Sequence, residues 1–247
     1  MEISMIDTNY KMNMDTPGNK DPDTFSRTLC DYHLLLWSKP LPSGKLFNLT
    51  AKPPPPYYLY HNSDIGEFCF TSDSIIHTYL KWKSIPIAGI INAVAKSEID
   101  SFYDLAHTIG GYIIFPANRI ERQPTINAIR GMHPLIKDRF DLTLECIRRW
   151  YNGIESPLFK HLDRYNNFFW LFDDFIGYCK YFFLDDLVNT DSGDIRFWLP
   201  FTDFGETAPL PVDDSEYREY MKNVTEFTRA RNLRIDNWCS NHEIVEL

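Results

Sequence analysis

The chain lacks the short motifs that usually announce a chemistry. It has no GxxxxGK[ST] phosphate loop, no GxGxxG after a strand and no GxSxG elbow. Those absences exclude the common backbone cradles for nucleotide phosphates and the strand–turn–helix nucleophile of the α/β-hydrolases. Its seven histidines include no HExxH and no close His or Cys pairs, so spacing predicts no metal centre. The five cysteines are an odd number without a CxxC pair, which predicts reduced thiols. No apolar run approaches the roughly 20 residues of a membrane helix. The opening residues, MEISMIDTNYKMN, carry neither a basic head nor an apolar run, so no secretory signal is expected. A cytoplasmic protein without membrane contact follows as the expectation. Positive charge is also scarce, 25 Lys and Arg against 34 Asp and Glu, for a net charge of −9. That balance argues against general nucleic-acid binding through phosphate neutralisation.

Rings are plentiful. Among 247 residues are 18 Phe, 14 Tyr and 6 Trp, enough to build much of a sizeable core from aromatic side chains. No repeat or interior linker divides the chain. We expect a single α+β domain over 29–238, a small, largely antiparallel sheet packed with five or six helices around an aromatic-rich core. Residues 1–28 read as a flexible or extended arm and 239–247 as a tail. Strands are expected at His33–Trp37, Lys45–Leu49 and Ile195–Phe201, and a hairpin at Tyr57–His61 with Glu67–Phe70. A helix capped by Ser72 or Asp73 should follow, and the last helix should begin near Asp213 with Glu216 completing a capping box and Arg229 and Arg231 near its end.

The most informative stretch is Gly110–Tyr151: a buried strand, a loop rich in Asn and Arg, then a helix. Helical spacing from Leu135 to Tyr151 gathers Ile136, Phe140, Leu142, Cys146, Ile147 and Trp150 in an apolar arc. Arg139 falls inside that arc. A guanidinium cannot shed its charge, so a buried Arg139 must meet an anion or a set of carbonyls.

The segments DTPGNKDPD, LLLWSKPLPSG, YLYHNSDIGEF, GGYIIFPANRI, TINAIRG, DRFDLTLECIRRWY and FFWLFDDFIGY resemble an uncharacterised bacterial protein family of unknown function. The likeness spans about Asp15 to Ile235 and brings no assigned activity, cofactor or catalytic residue. It implies one domain and a bacterial or phage cytosol.

Between Asn118 and Arg149 stand seven basic residues and four acidic ones, a local excess of +3 in an acidic protein. Loops that enter helices favour anions. One reading therefore has Arg119, Arg130 and Arg139 converging on a phosphate or carboxylate, with Asn118 and Asn127 as neutral hydrogen-bonders. The other is a salt-bridge web, since Asp141 and Glu145 are spaced to meet Arg148 and Arg149. Asp73 and His77, four residues apart on the expected helix, would share a face as an oriented acid–base pair, or serve as a cap and a partly buried histidine. The leading expectation is an arginine-lined pocket for an anionic small molecule, a nucleotide among the candidates, with catalysis and cofactor left open. The alternative is a non-catalytic interaction or regulatory protein, in the setting of phage–host conflict, whose arginines only brace the fold.

Overall fold

A computed structural model describes residues 6–18, 20–80 and 85–241. In chain order these form α1 (Pro22–Phe25), α2 (Arg27–Trp37), β1 (Thr50–Ala51), β2 (Leu59–Ser63), β3 (Gly66–Ser74), α3 (Ile85–Asn92) and α4 (Lys96–Ala106). After a 3-10 turn come β4 (Tyr112–Pro116), α5 (Ile126–Met132), α6 (Phe140–Tyr151), α7 (Phe159–Asp163), α8 (Asn166–Phe169), α9 (Phe175–Tyr181) and α10 (Asp214–Asn241). The architecture is α+β. Its four strands pair antiparallel in the order β1-β2-β3-β4.

The expected hairpin is present, with Leu59 opposite Phe70 and Ser63 opposite Gly66. Alternation along β2 sets Leu59 and His61 inward, as a half-buried strand requires. Strand β4 is buried along its whole length. Helix α5 packs on it, and α10 packs on the turn before it. Behind the sheet lies the ring cluster: Trp37 meets Phe182 at 5.0 Å between centroids, Phe172 meets Tyr181 at 4.9 Å, and Phe168 bridges to Phe70 at 5.4 Å. Offset and edge-on contacts of this kind add to the area the rings bury.

Several expectations are corrected. His33–Trp37 is the end of α2, not a strand: Ser26 caps it by accepting from the Leu29 amide at 3.0 Å, and Leu29, Tyr32, His33, Leu36 and Trp37 then recur on one buried face. A leucine run is apolar in either state, and the cap seven residues before His33 decides. Lys45–Leu49 forms only an isolated bridge, Pro40 with Leu46, and Ile195–Phe201 only the bridge of Ile195 with Val188. The helix expected from Ser72 does not form within the described residues up to Leu80, because β3 continues through Ser74 against β4. Residues 81–84 of that helix lie outside the described residues.

The arm is docked. Met12 is wholly buried, its amide bonds to the His107 carbonyl at 2.9 Å, and Asp15 accepts from Ser26 Oγ at 2.6 Å and the Thr28 amide at 2.8 Å. Residues 1–5 and 19 of the arm lie outside the described residues. Helix α10 begins as expected, with Asp213 accepting from the Glu216 amide at 2.8 Å, but it runs on to Asn241. Arg231 is consequently mid-helix and buried rather than terminal. The remainder of the tail, 242–247, lies outside the described residues.

Candidate functional site

Helix α5 is capped by Thr125, whose side chain accepts from the Ala128 amide at 3.3 Å. One turn later Arg130 points into the protein and is 1% exposed. It donates to Asp73 Oδ2 at 2.5 Å, the Ser74 carbonyl at 3.2 Å, the Asp138 carbonyl at 3.0 Å and Thr143 Oγ1 at 3.3 Å. Asp138 reaches Arg130 because Lys137 and Asp138 both adopt left-handed backbone, with φ of 51° and 61°. That conformation costs a non-glycine residue about 1–2 kcal/mol and persists only where the surroundings enforce it. Gly131 belongs to the same arrangement, since a Cβ there would stand 2.9 Å from the Asp138 carboxylate.

The cluster extends to His77, whose Nε2 lies 3.6 Å from Asp138, and to Asn127, whose Nδ2 donates to the Ser72 carbonyl at 3.3 Å. Asp73, His77, Asn127 and Arg130 therefore do come together. The route differs from the expectation: Asp73 sits on β3 and His77 beyond its end, so no shared helix face links them. Burial pushes the Asp73 carboxyl up to about 7, with Arg130 pulling it down and Asp138 and Asp21 adding to the rise.

Ser72, the preceding residue of β3, engages α2 instead. Trp37 Nε1–H donates to His33 Nδ1 at 2.8 Å, which leaves the histidine proton on Nε2 facing Ser72 Oγ at 2.9 Å. The Ser72 hydroxyl then donates to Asp23 Oδ1 at 3.1 Å. Burial pushes the His33 pKa down to about 3, so the ring is neutral. Asp23 is raised well above the carboxylate range, by burial first and then by the Asp21 and Asp73 charges. These are a serine, a histidine and an aspartate, but in the wrong order for nucleophilic catalysis. The imidazole already holds its proton toward Ser72 and cannot accept another from it. The cavity beside them is about 10 Å³, room for no substrate.

Arg139 is buried, as the sequence requires, but for another reason. Helix α6 begins at Phe140, so Arg139 is its N-cap and not part of its wheel. Its guanidinium forms a two-bond pair with Asp141, Nε to Oδ1 at 3.0 Å and Nη2 to Oδ2, and also donates to the Pro209 and Leu199 carbonyls. The Trp198 amide donates to the same carboxylate at 2.9 Å. The counter-charge is therefore the chain's own. Arg148 and Arg149 both meet Glu145 at 2.7 Å, as their spacing suggests, and Arg149 adds Asp203.

Arg119 does not converge with Arg130 and Arg139, which corrects the three-arginine pocket. It is exposed, and with Arg122, Gln123, Pro124, Thr125 and Ala128 it lines a surface recess of about 260 Å³. Among the described residues neither the Arg119 nor the Arg122 side chain forms a hydrogen bond or ion pair. Asn118 braces this loop, accepting from the Cys69 amide through Oδ1 and from the Tyr165 hydroxyl through its carbonyl, each at 2.8 Å. Glu121 and Arg122 form a second left-handed pair, with φ of 54° and 59°.

Two features escaped the sequence. His33 is hidden in an apolar run, where nothing local marks it. Arg231 is fully buried with no carboxylate partner among the described residues, its four hydrogen bonds going to the carbonyls of Phe182, Gly110 and Tyr112. Among the described residues no three His, Cys, Asp or Glu side chains gather in a way that could hold a metal ion. No helix among them is long and apolar enough to cross a membrane.

Residues 6–235 match the family of unknown function DUF6994, and the chain belongs to that family. No curated protein and no solved structure matches it.

Proposed function

We propose that this protein binds an anionic small molecule, and that the site is the recess lined by Arg119 and Arg122 rather than the buried cluster around Arg130. A single observation carries this reading. Arg130, Arg139, Arg148 and Arg149 are matched to carboxylates of the chain, whereas Arg119 and Arg122 face solvent from a concave wall with no such partner among the described residues. Unpaired guanidiniums suit phosphate or carboxylate groups, which they can grip with two parallel N–H donors. The left-handed pair at Glu121–Arg122 supports the same reading, because backbone held in an unfavourable region concentrates at ligand clamps.

The buried cluster supports the recess from behind. Asn127 and Arg130 lie on α5, the same short helix that supplies Thr125 and Ala128 to the recess, and their bonds to β3 fix its position. A thermal-shift series with inorganic phosphate, sugar phosphates and nucleotides tests the reading. A ligand at a hundredfold excess over its Kd stabilises the folded state by about 2.7 kcal/mol. The Arg119→Ala/Arg122→Ala double variant should lose that response and keep its ligand-free midpoint. A wild-type protein indifferent to every anion would favour the interaction protein with purely structural arginines.

A further inference from the structure

Residues of α10, of the segment 196–198 and of the 3-10 turn Asp185–Leu187 line a second cavity, of about 350 Å³. That volume falls within the roughly 300–1,000 Å³ of small-molecule sites. Its walls are tied to one another. Asn223 Nδ2 on α10 donates to the Trp198 carbonyl at 2.8 Å, and the Arg196 amide donates to the Leu187 carbonyl at 2.9 Å. The Trp198 amide donates to Asp141, so this wall also hangs on the buried Arg139–Asp141 pair. The Trp198 ring is 1% exposed and meets Phe227 at 5.9 Å and Tyr220 at 5.8 Å between centroids. Walls fixed in this way need little ordering when a ligand enters.

Three charged side chains line the cavity: Asp186, Arg196 and Glu226. Asp186 is already engaged, accepting from Arg234 at 2.9 and 3.1 Å. Arg196 and Glu226 are exposed, and among the described residues neither side chain forms a hydrogen bond or ion pair, with the other or with any third group. One cation and one anion are thus left open on the same cavity, too far apart to neutralise each other. The recess at Arg119 and Arg122 differs, for its lining holds two cations and no acid. Charge complementarity matches a net anion to the recess and a neutral, dipolar ligand to this cavity. The rest of the lining is largely apolar, with Leu187, Phe197, Trp198 and Phe227.

We infer that this cavity binds a zwitterion of the amino-acid type with an apolar side chain. Its carboxylate accepts from the Arg196 guanidinium, which can present two parallel N–H donors, and its ammonium donates to the Glu226 carboxylate. The apolar side chain lies against Phe197 and Phe227. A ligand with both charges satisfies both walls at once, whereas a singly charged one leaves the opposite wall to water. The inference is independent of the anion recess, with which this cavity shares no residue.

The test is titration calorimetry of the full chain with L-phenylalanine, beside 3-phenylpropionate, which lacks the ammonium, and phenethylamine, which lacks the carboxylate. Phenylalanine should bind at least tenfold tighter than either analogue. Arg196→Gln and Glu226→Gln alter exposed side chains that make no internal bond, so each should keep the wild-type thermal midpoint and weaken phenylalanine at least fivefold. Arg119→Ala/Arg122→Ala should bind phenylalanine as wild type does, whatever it does to phosphate, so this site and the recess stand or fall separately. No uptake of phenylalanine at millimolar concentration overturns the inference. So does an analogue that binds as tightly as phenylalanine, or a loss confined to one of the two variants, since either would mean that a single charge is read. A fall in midpoint on Arg196→Gln or Glu226→Gln would make that residue structural and overturn its role here.

Discussion

Two sets of arginines in one 30-residue stretch live under opposite rules. Arg130 and Arg139 lie inside the protein, each with four hydrogen bonds and a carboxylate of the chain opposite. Arg119 and Arg122, a few residues upstream, stand in solvent beside a recess, their side chains without a partner among the described residues. The difference teaches that local charge excess alone does not locate a binding site. An interior cation is neutralised by its own fold, because an unpaired charge there is too costly to keep. A surface cation is stabilised by water and can wait for a ligand. Arg231 and Arg164 mark the intermediate cases: one buried and bonded only by carbonyls, the other enclosed and incompletely bonded.

Substitution of each set should give a graded series. The largest loss is expected for Arg139→Met, which strands the wholly buried Asp141 and should cost about 3–5 kcal/mol in chemical denaturation. A change under about 1 kcal/mol would show that Asp141 is relieved by protonation or by water. Arg231→Met leaves carbonyls without donors but strands no charge, so it should cost less, about 1–3 kcal/mol by the same measurement. If it matched Arg139→Met, the distinction between carboxylate and carbonyl partners would have no energetic content.

The Arg130 cluster adds a pH dependence. The folded Asp73 pKa of about 7 lies above the ordinary value of 3.8, so the folded state holds its proton more tightly than the unfolded state. Its contribution is greatest below pH 4 and is lost as pH rises towards 7, with a slope of at most about 1.4 kcal/mol per pH unit. His33 works in the other direction: its folded pKa near 3 lies below 6.5, so stability falls as pH drops from 6.5 towards 3. Denaturation of Asp73→Asn beside wild type between pH 4 and 8 isolates the first slope. Parallel curves would mean that Arg130 keeps Asp73 ionised throughout. The smallest effect belongs to the rim. Arg119→Ala/Arg122→Ala without ligand should stay within about 0.5 kcal/mol of wild type, as surface changes do. A greater loss would place those side chains in the structural set.

Much of the architecture was legible in the chain. The hairpin around Asp64–Ile65, the buried β4 and the start of α10 follow from alternation, an unbroken apolar run and a cap with Glu three residues on. The Glu145 pairings with Arg148 and Arg149 follow from helix geometry alone. Burial of Arg139 was also readable, although the helix start at Phe140 was not.

What lay beyond the sequence shares one physical reason: it depends on partners distant along the chain. Ser72 and Asp73 read as a helix cap, yet pairing with Ile114 and Ile113 makes them strand, because ladder bonds from a neighbour outweigh a local capping preference. Met12 reads as part of a loose arm until the His107 carbonyl meets its amide. The three inner arginines take acceptors from β3, from the 199–209 loop and from the end of α9, and nothing in their own neighbourhood names those groups. Composition, periodicity and caps determined the class of fold, the ring-built core and the stretch where positive charge collects. Only tertiary structure decided which of those charges the protein neutralises for itself and which it leaves at the surface, because desolvation and long-range pairing exist only once the chain has closed on itself.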